Sequence, residues 1–306
     1  MSNPCHAQSL GNKMKNKVDS WLDTRIVRLV LWIPLALGAL ISERSISSAE
    51  DFSCIEPVTK QRQYRIVGGT DADPGQWAFL VGLYAPNYGA PFCGGSLINR
   101  QWVVTAAHCV VVSSGGLIPT SVRQSAPNGQ PRGTESQVGR VIPHPEYAEE
   151  KNDVALLRLV TPLNIETSKI AMLATTDTEN AWGGAGACAA VAGWGLTVQV
   201  QRSGLPGHLQ AVNVPIVSQQ DCRAAYTATH DIQPKAHICA GYMPGGKDSC
   251  YGDSGGPLIV RAGPTGALLI GIVSLGEGCA RPNQPGVYTR VSSYVDWIIS
   301  TIEKNP

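Results

Sequence analysis

From Ile66 onward the chain is a succession of short apolar runs, each ended by glycine, proline or small polar residues. Runs of that length are too short for ordinary helices and match buried strands. The strand candidates are Trp77–Tyr84, Gly95–Ile98, Trp102–Ala107, Val154–Val160, Ala189–Gly193, Leu209–Val214, Pro257–Val260, Leu268–Ser274 and Gly286–Val291. Such a series, with turn signals between its members, predicts an all-β barrel or sandwich. Composition agrees, because 33 glycines and only 15% charged residues suit strands and tight turns better than a helical bundle. The stretch Val112–Arg140, rich in Ser, Gly, Pro and Gln, reads as loops with short, weak strands. At the C-terminus the period changes. Ser292 or Ser293 can cap a helix in which Val295, Ile298, Ile299 and Ile302 form one apolar stripe.

Nine cysteines are many for a reduced cytosolic enzyme, and none of their spacings forms the paired C-x-x-C of a structural zinc site. They read as a disulfide framework in an oxidising compartment. The N-terminus agrees with export. Lys13, Lys15, Lys17, Arg25 and Arg28 precede the apolar run Leu29–Ile41, and Ser47, Ser48 and Ala49 follow it. That run is short of the roughly 20 residues a membrane span needs. It reads as a signal peptide, with an uncleaved anchor as the alternative, and Met14 offers a second start. The predicted organisation is a signal-peptide region over residues 1–49, a polar pro-segment over 50–65 and one domain over 66–306, secreted to the extracellular space or periplasm. Lys and Arg (24) nearly balance Asp and Glu (23), which gives no electrostatic ground for a nucleic-acid partner.

Three segments carry chemistry. In Gly252-Asp253-Ser254-Gly255-Gly256-Pro257 a serine stands among glycines. A serine hydroxyl becomes a nucleophile only with a base to take its proton and N–H groups to hold the resulting oxyanion. Taken alone, the segment is equally a turn. Thr105-Ala106-Ala107-His108-Cys109 ends a predicted strand with a histidine. Asn152-Asp153-Val154-Ala155-Leu156-Leu157 opens another with a carboxylate, which burial would oblige to find a partner such as an imidazole N–H. Together the three explain one another.

With Ile66-Val67-Gly68-Gly69, Gly193-Trp194-Gly195 and Pro285-Gly286-Val287-Tyr288 in the same order, the segments resemble the trypsin-like branch of the chymotrypsin family of serine peptidases, from Ile66 to about Lys304. The resemblance implies two six-stranded antiparallel β-barrels with the active site between them, followed by the C-terminal helix. It implies Ser254 as nucleophile, His108 as general base and then acid, Asp153 as the group orienting His108, and the N–H groups of Gly252 and Ser254 as oxyanion hole. It places Asp248 at the base of the specificity pocket, where a carboxylate selects Lys or Arg, with Ser274 and Gly276 on one wall and Gly286 on the other. Leu275 stands where the family usually has Trp. Arg65 before Ile66 implies a zymogen: cutting there frees an α-ammonium on Ile66 that would pair with Asp253.

The resemblance also implies the bridges Cys93–Cys109, Cys222–Cys239 and Cys250–Cys279. Cys5 would be lost with the signal peptide. Cys54 and Cys188 are left, and the sequence leaves their pairing open. No cofactor is implied. The family's calcium loop needs several acidic ligands, and the corresponding stretch offers only Glu135 before Glu146, so no metal is expected. The implied partners are protein or peptide substrates with Lys or Arg at the cleaved bond, and protein inhibitors, for a monomer. An inactive homologue serving as a scaffold is the alternative from another class. It is disfavoured because all three triad positions are kept.

Overall fold

The computed structural model describes residue 54 and residues 66–195, 207–262 and 266–306. The apolar run Leu29–Ile41, Cys5, Arg65 and the polar stretch before it other than Cys54 lie outside the described residues. After the short β1 (Thr70–Asp71), six strands form a closed barrel: β2 (Leu80–Tyr84), β3 (Cys93–Leu97), β4 (Trp102–Thr105), β5 (Ser121–Gln124), β6 (Glu135–Pro143) and β7 (Ala155–Leu159). They pair in the order β2-β3-β4-β7-β6-β5, and β5 returns to β2. The strands are short and rich in Val and Leu and are covered on both faces: Leu83, Leu97 and Val122 share one face of the closed sheet and Val104 and Leu156 the other, all fully buried.

The short β8 (Met172–Leu173) and helix α1 (Thr176–Trp182) lead into the second barrel. Its strands are β9 (Cys188–Gly193), β10 (Gln210–Val217), β11 (His237–Ala240), β12 (Pro257–Ala262), β13 (Gly266–Leu275) and β14 (Gly286–Arg290). They pair in the order β10-β11-β14-β13-β12-β9, and β9 closes on β10. Strand β1 adds to the rim of this barrel beside β10, and β8 lies parallel to β13. The structure thus has two closed six-stranded antiparallel barrels. The first barrel's core continues into Ala192, Trp194, Ile259, Leu269 and Ile272 of the second, so an apolar seam joins the two.

Helix α2 (Gln219–Tyr226) lies between β10 and β11, and α3 (Val295–Lys304) ends the chain. Two details depart from the sequence reading. Neither Ser292 nor Ser293 caps α3: the Ser292 hydroxyl donates to Glu179 Oε2 at 2.5 Å, and residues 291–293 form a 3₁₀ turn instead. The stripe on α3 is also narrower than its periodicity suggests. Ile298 is buried beside Thr301, whereas Ile299 is 47% exposed. The stretch Val112–Arg140 holds β5 and most of the nine-residue β6, whose half-exposed polar side chains hide its strand character.

Candidate active site

The candidate triad residues His108, Asp153 and Ser254 come from loops flanking the strands of the two barrels. Asp153, 4% exposed, immediately precedes Val154 and β7. Its carboxylate accepts the His108 backbone N–H at 2.8 Å through Oδ1 and the His108 Nδ1–H at 2.8 Å through Oδ2. The Ser274 hydroxyl donates to Oδ2 at 2.6 Å, and the Thr289 hydroxyl donates to the Asp153 carbonyl at 2.7 Å. Burial alone would push the Asp153 carboxyl up. The hydrogen bond and charge of His108, together with Ser274, outweigh it and hold the carboxyl below its ordinary value. For His108 burial disfavours the charged ring, but the Asp153 hydrogen bond and charge prevail, and its pKa lies above the usual imidazole value. Ser274, expected only as a pocket wall, therefore also supports Asp153. Thr289 was not singled out in the sequence, and its proximity to Asp153 arises only from packing β14 against the neighbouring barrel.

The Ser254 turn packs on the His108 segment. The Ser254 carbonyl accepts from Gly94 N at 2.7 Å. Gly255, at φ 77°, lies so close to Thr105 that a Cβ would fall 2.2 Å from its Oγ1. Among the described residues, no hydrogen bond joins Ser254 to His108 in this conformation, a looseness common in catalytic sites without substrate. The N–H groups of Gly252 and Ser254 have no acceptor among the described residues. The Asp253 side chain between them points inward and is 1% exposed. It accepts from Gly195 N at 2.8 Å and Cys250 N at 2.9 Å. Among the described residues no cation pairs with it, and burial raises its pKa to about 6. A Cβ on Gly193 would lie 2.1 Å from the Asp253 Oδ1, and one on Gly195 2.5 Å from its Cγ, which accounts for glycine on both sides of Trp194.

Beside Ser254 opens a cavity of about 180 Å³, lined by Asp248, Ser274, Leu275, Gly276 and Gly286 among others. Asp248 is 4% exposed and accepts from Ala280 N at 2.9 Å. Burial dominates its titration and, with the Asp253 charge opposing ionisation too, raises its pKa to about 7 despite hydrogen bonds from Ala280 and Ser249. The reason for Gly286 is sharper than an open wall: a Cβ there would lie 2.8 Å from Asp248 Oδ1. Ile66 is fully buried among Val191, Val212 and Tyr288, and Val67 pairs with Asp248, whose N–H donates to the Val67 carbonyl at 3.1 Å.

Four disulfides are formed: Cys54–Cys188, Cys93–Cys109, Cys222–Cys239 and Cys250–Cys279. The first settles the pairing that the sequence left open, and Tyr242 supports it by donating to the Cys54 carbonyl. Cys93, His108 and Cys109 gather within 4.8 Å, but both sulfurs are consumed by their own bridge, so the cluster offers no thiolate to a metal. No helix among the described residues is long and apolar enough to cross a membrane.

Two closed barrels with a paired histidine and aspartate facing a serine turn at their junction are the arrangement of a serine endopeptidase, and the chain belongs to the trypsin family: the family model described as Trypsin matches residues 66–298. The chain is 39% identical over 246 residues to Serine protease 1 of Rattus norvegicus, a match covering 79% of this chain and 91% of the relative. It is 37% identical over 253 residues to Serine protease 56 of Mus musculus and 38% identical over 238 residues to Serine protease 56 of Homo sapiens, covering 81% and 76% of this chain. Those two matches span only 40% and 38% of the relatives' own length. Residues 66–298 thus form a trypsin-family serine protease domain, and the chain spans well under half the length of the two Serine protease 56 relatives.

Proposed function

We propose that the protein is a secreted endopeptidase that cleaves after Lys or Arg and is made as a zymogen. The observation that carries the specificity is Asp248, a buried carboxylate without a cation among the described residues, lining a cavity that also reaches Ser254. A long cationic side chain entering the cavity would supply the missing charge, and an apolar one would leave it uncompensated.

In the proposed reaction Ser254 Oγ attacks the scissile carbonyl while His108 Nε2 takes its proton. Asp153 holds Nδ1–H and stabilises the imidazolium. The N–H groups of Gly252 and Ser254 would receive the oxyanion. His108 then protonates the leaving amine, and water, activated by the same imidazole, releases the acyl group from Ser254.

For activation, residues 1–49 would direct export and residues 50–65 would be the pro-segment. Cutting Arg65–Ile66 would create an ammonium for Asp253, which meets no cation among the described residues. The intact chain holds Ile66 at φ 61°, an outlier for a β-branched residue that costs about 1–3 kcal/mol. Once the preceding peptide bond is gone, that torsion no longer constrains the buried side chain. Profiling the activated protein on a peptide library tests the reading. Cleavage should fall after Lys and Arg, and Asp248→Ser should lower kcat/KM for such substrates by about 100-fold or more, with little change for Leu or Phe substrates. Equal losses for every substrate would make Asp248 structural.

A further inference from the structure

His230, which follows α2, stands between two carboxylates. Its Nδ1 is 2.5 Å from Glu150 Oε1 and its Nε2 is 3.0 Å from Glu277 Oε1. The ring is 19% exposed, and the two carboxylates are 31% and 35% exposed. Neither acid belongs to the chemistry described above, yet both stand next to it. Glu150 lies three residues before Asp153, on the first barrel's loop into β7. Glu277 lies between Gly276 and Gly278, which both line the Asp248 cavity.

The Glu150 loop is tied to the second barrel at other points as well. Its carbonyl accepts from His237 Nε2 at 2.8 Å, while His237 Nδ1 accepts from Gln233 N at 3.1 Å, so His237 bonds both partners as a neutral ring. Lys151 pairs with Asp231 at 3.7 Å. The groups facing His230 are therefore Glu150, Glu277 and the ring of Tyr226, whose centroid is 5.5 Å away and whose hydroxyl is held by the Pro285 carbonyl. Behind them stand Asp231, Lys151 and His237. No other cation reaches the two carboxylates among the described residues.

We infer that His230 is a positioning residue: it ties the loop carrying Asp153 to the rim of the Asp248 cavity, and both arms of the tie hold only while the imidazole carries two protons. A neutral imidazole donates from one nitrogen and presents a lone pair to the carboxylate on the other. A ring with a single proton would turn one arm from a charge-assisted hydrogen bond into a repulsion and release the rim from the Glu150 loop. Substrate alignment, and hence KM, should follow the tie, while the proton transfers at Ser254 do not pass through it.

The inference rests on Ser254 as nucleophile but not on the choice of Lys or Arg. The test compares wild type with His230→Phe, which keeps a ring against Tyr226, and His230→Arg, whose fork stays charged and can reach both carboxylates. The substrate is a peptide that the wild type cleaves, whatever residue precedes the bond, and active enzyme is counted by stoichiometric labelling of Ser254 with an organophosphonate. His230→Phe should raise KM about fivefold with kcat nearly unchanged, because the charged tie is lost while the ring is kept. His230→Arg should restore the low KM. If His230→Phe fails to fold, Glu277→Gln, at the more exposed end of the tie, should give the same rise in KM. A KM unchanged in His230→Phe, or an Arg variant no better than Phe, would overturn the inference. Absence of any labelling of Ser254 would instead refute the nucleophile.

Discussion

His108 is under opposed influences, and their balance is measurable. Burial disfavours the imidazolium, while Asp153 favours it through a 2.8 Å hydrogen bond and its charge, and Asp153 prevails. A general base must be unprotonated, so kcat/KM should rise with pH along a limb centred above the ordinary imidazole value of about 6.5. In Asp153→Asn burial acts without its opponent. The limb should move to lower pH while kcat falls about 10⁴-fold, the loss such triads show. A pH–rate profile with an unmoved limb would remove Asp153 as its cause. Ser254→Ala should lose more than about 10³-fold in kcat yet still bind basic peptides. Asp248 acts in the same sense as the base, since it too must lose its proton before it can meet a cation. Its carboxyl is raised to about 7 in the empty cavity, and a bound cation would lower it. Affinity for an aryl amidine should therefore be full above about pH 7 and decline as pH falls below it, by about tenfold per unit at the limit. Calorimetry across that range checks this. A flat affinity would show that the cation does not meet Asp248.

Among the elements, the end of β9 shows how strictly the Asp253 site is built. Gly193→Ala would place a methyl 2.1 Å from the Asp253 carboxylate and should cost about 1–3 kcal/mol of stability by overpacking. A thermal melt measures that loss, and an undiminished melting temperature would mean the carboxylate can move aside. The Cys54–Cys188 bridge links a residue before the proposed cut to β9. After cleavage at Arg65–Ile66 the fragment holding Cys54 should stay attached, so electrophoresis should show two chains only under reducing conditions, and Cys188→Ser should release the fragment without reduction. Elements were legible in the sequence where burial made them uniformly apolar. Strands β7 and β13 announce themselves, whereas β6 does not, because its side chains are largely in contact with water. The helices α1 and α2 were missed because both are polar and short. Their start signals were nevertheless present: Ser218 accepts from Asp221 N at 3.1 Å, and Thr175 and Thr178 form a reciprocal capping box.

For the molecule as a whole, activation is the event that would involve both the buried core and the site. Asp253 lies in the second barrel with no cation among the described residues, and Ile66 is already buried in the same core. Arg65→Gln should give a stable precursor that added trypsin leaves inactive, as followed by electrophoresis and a chromogenic arginine substrate. Asp253→Asn should be cut normally and remain weakly active, because the ammonium would have no carboxylate to order the Gly252–Ser254 backbone. Full activity from an intact Arg65→Gln precursor would refute the mechanism. The sequence alone determined the all-β class and the identity of the chemical groups. Runs of buried Val and Leu between turn residues permit little but short strands, and the Ser254, His108 and Asp153 segments carry their residue types on their face. Only the tertiary structure decided which groups meet. The Cys54–Cys188 bridge, the Ser274 and Thr289 hydrogen bonds to Asp153, and the bonds of His230 to Glu150 and Glu277 join residues far apart along the chain. No local pattern encodes such pairs, because their separation is set by how the barrels close and by the apolar seam between them.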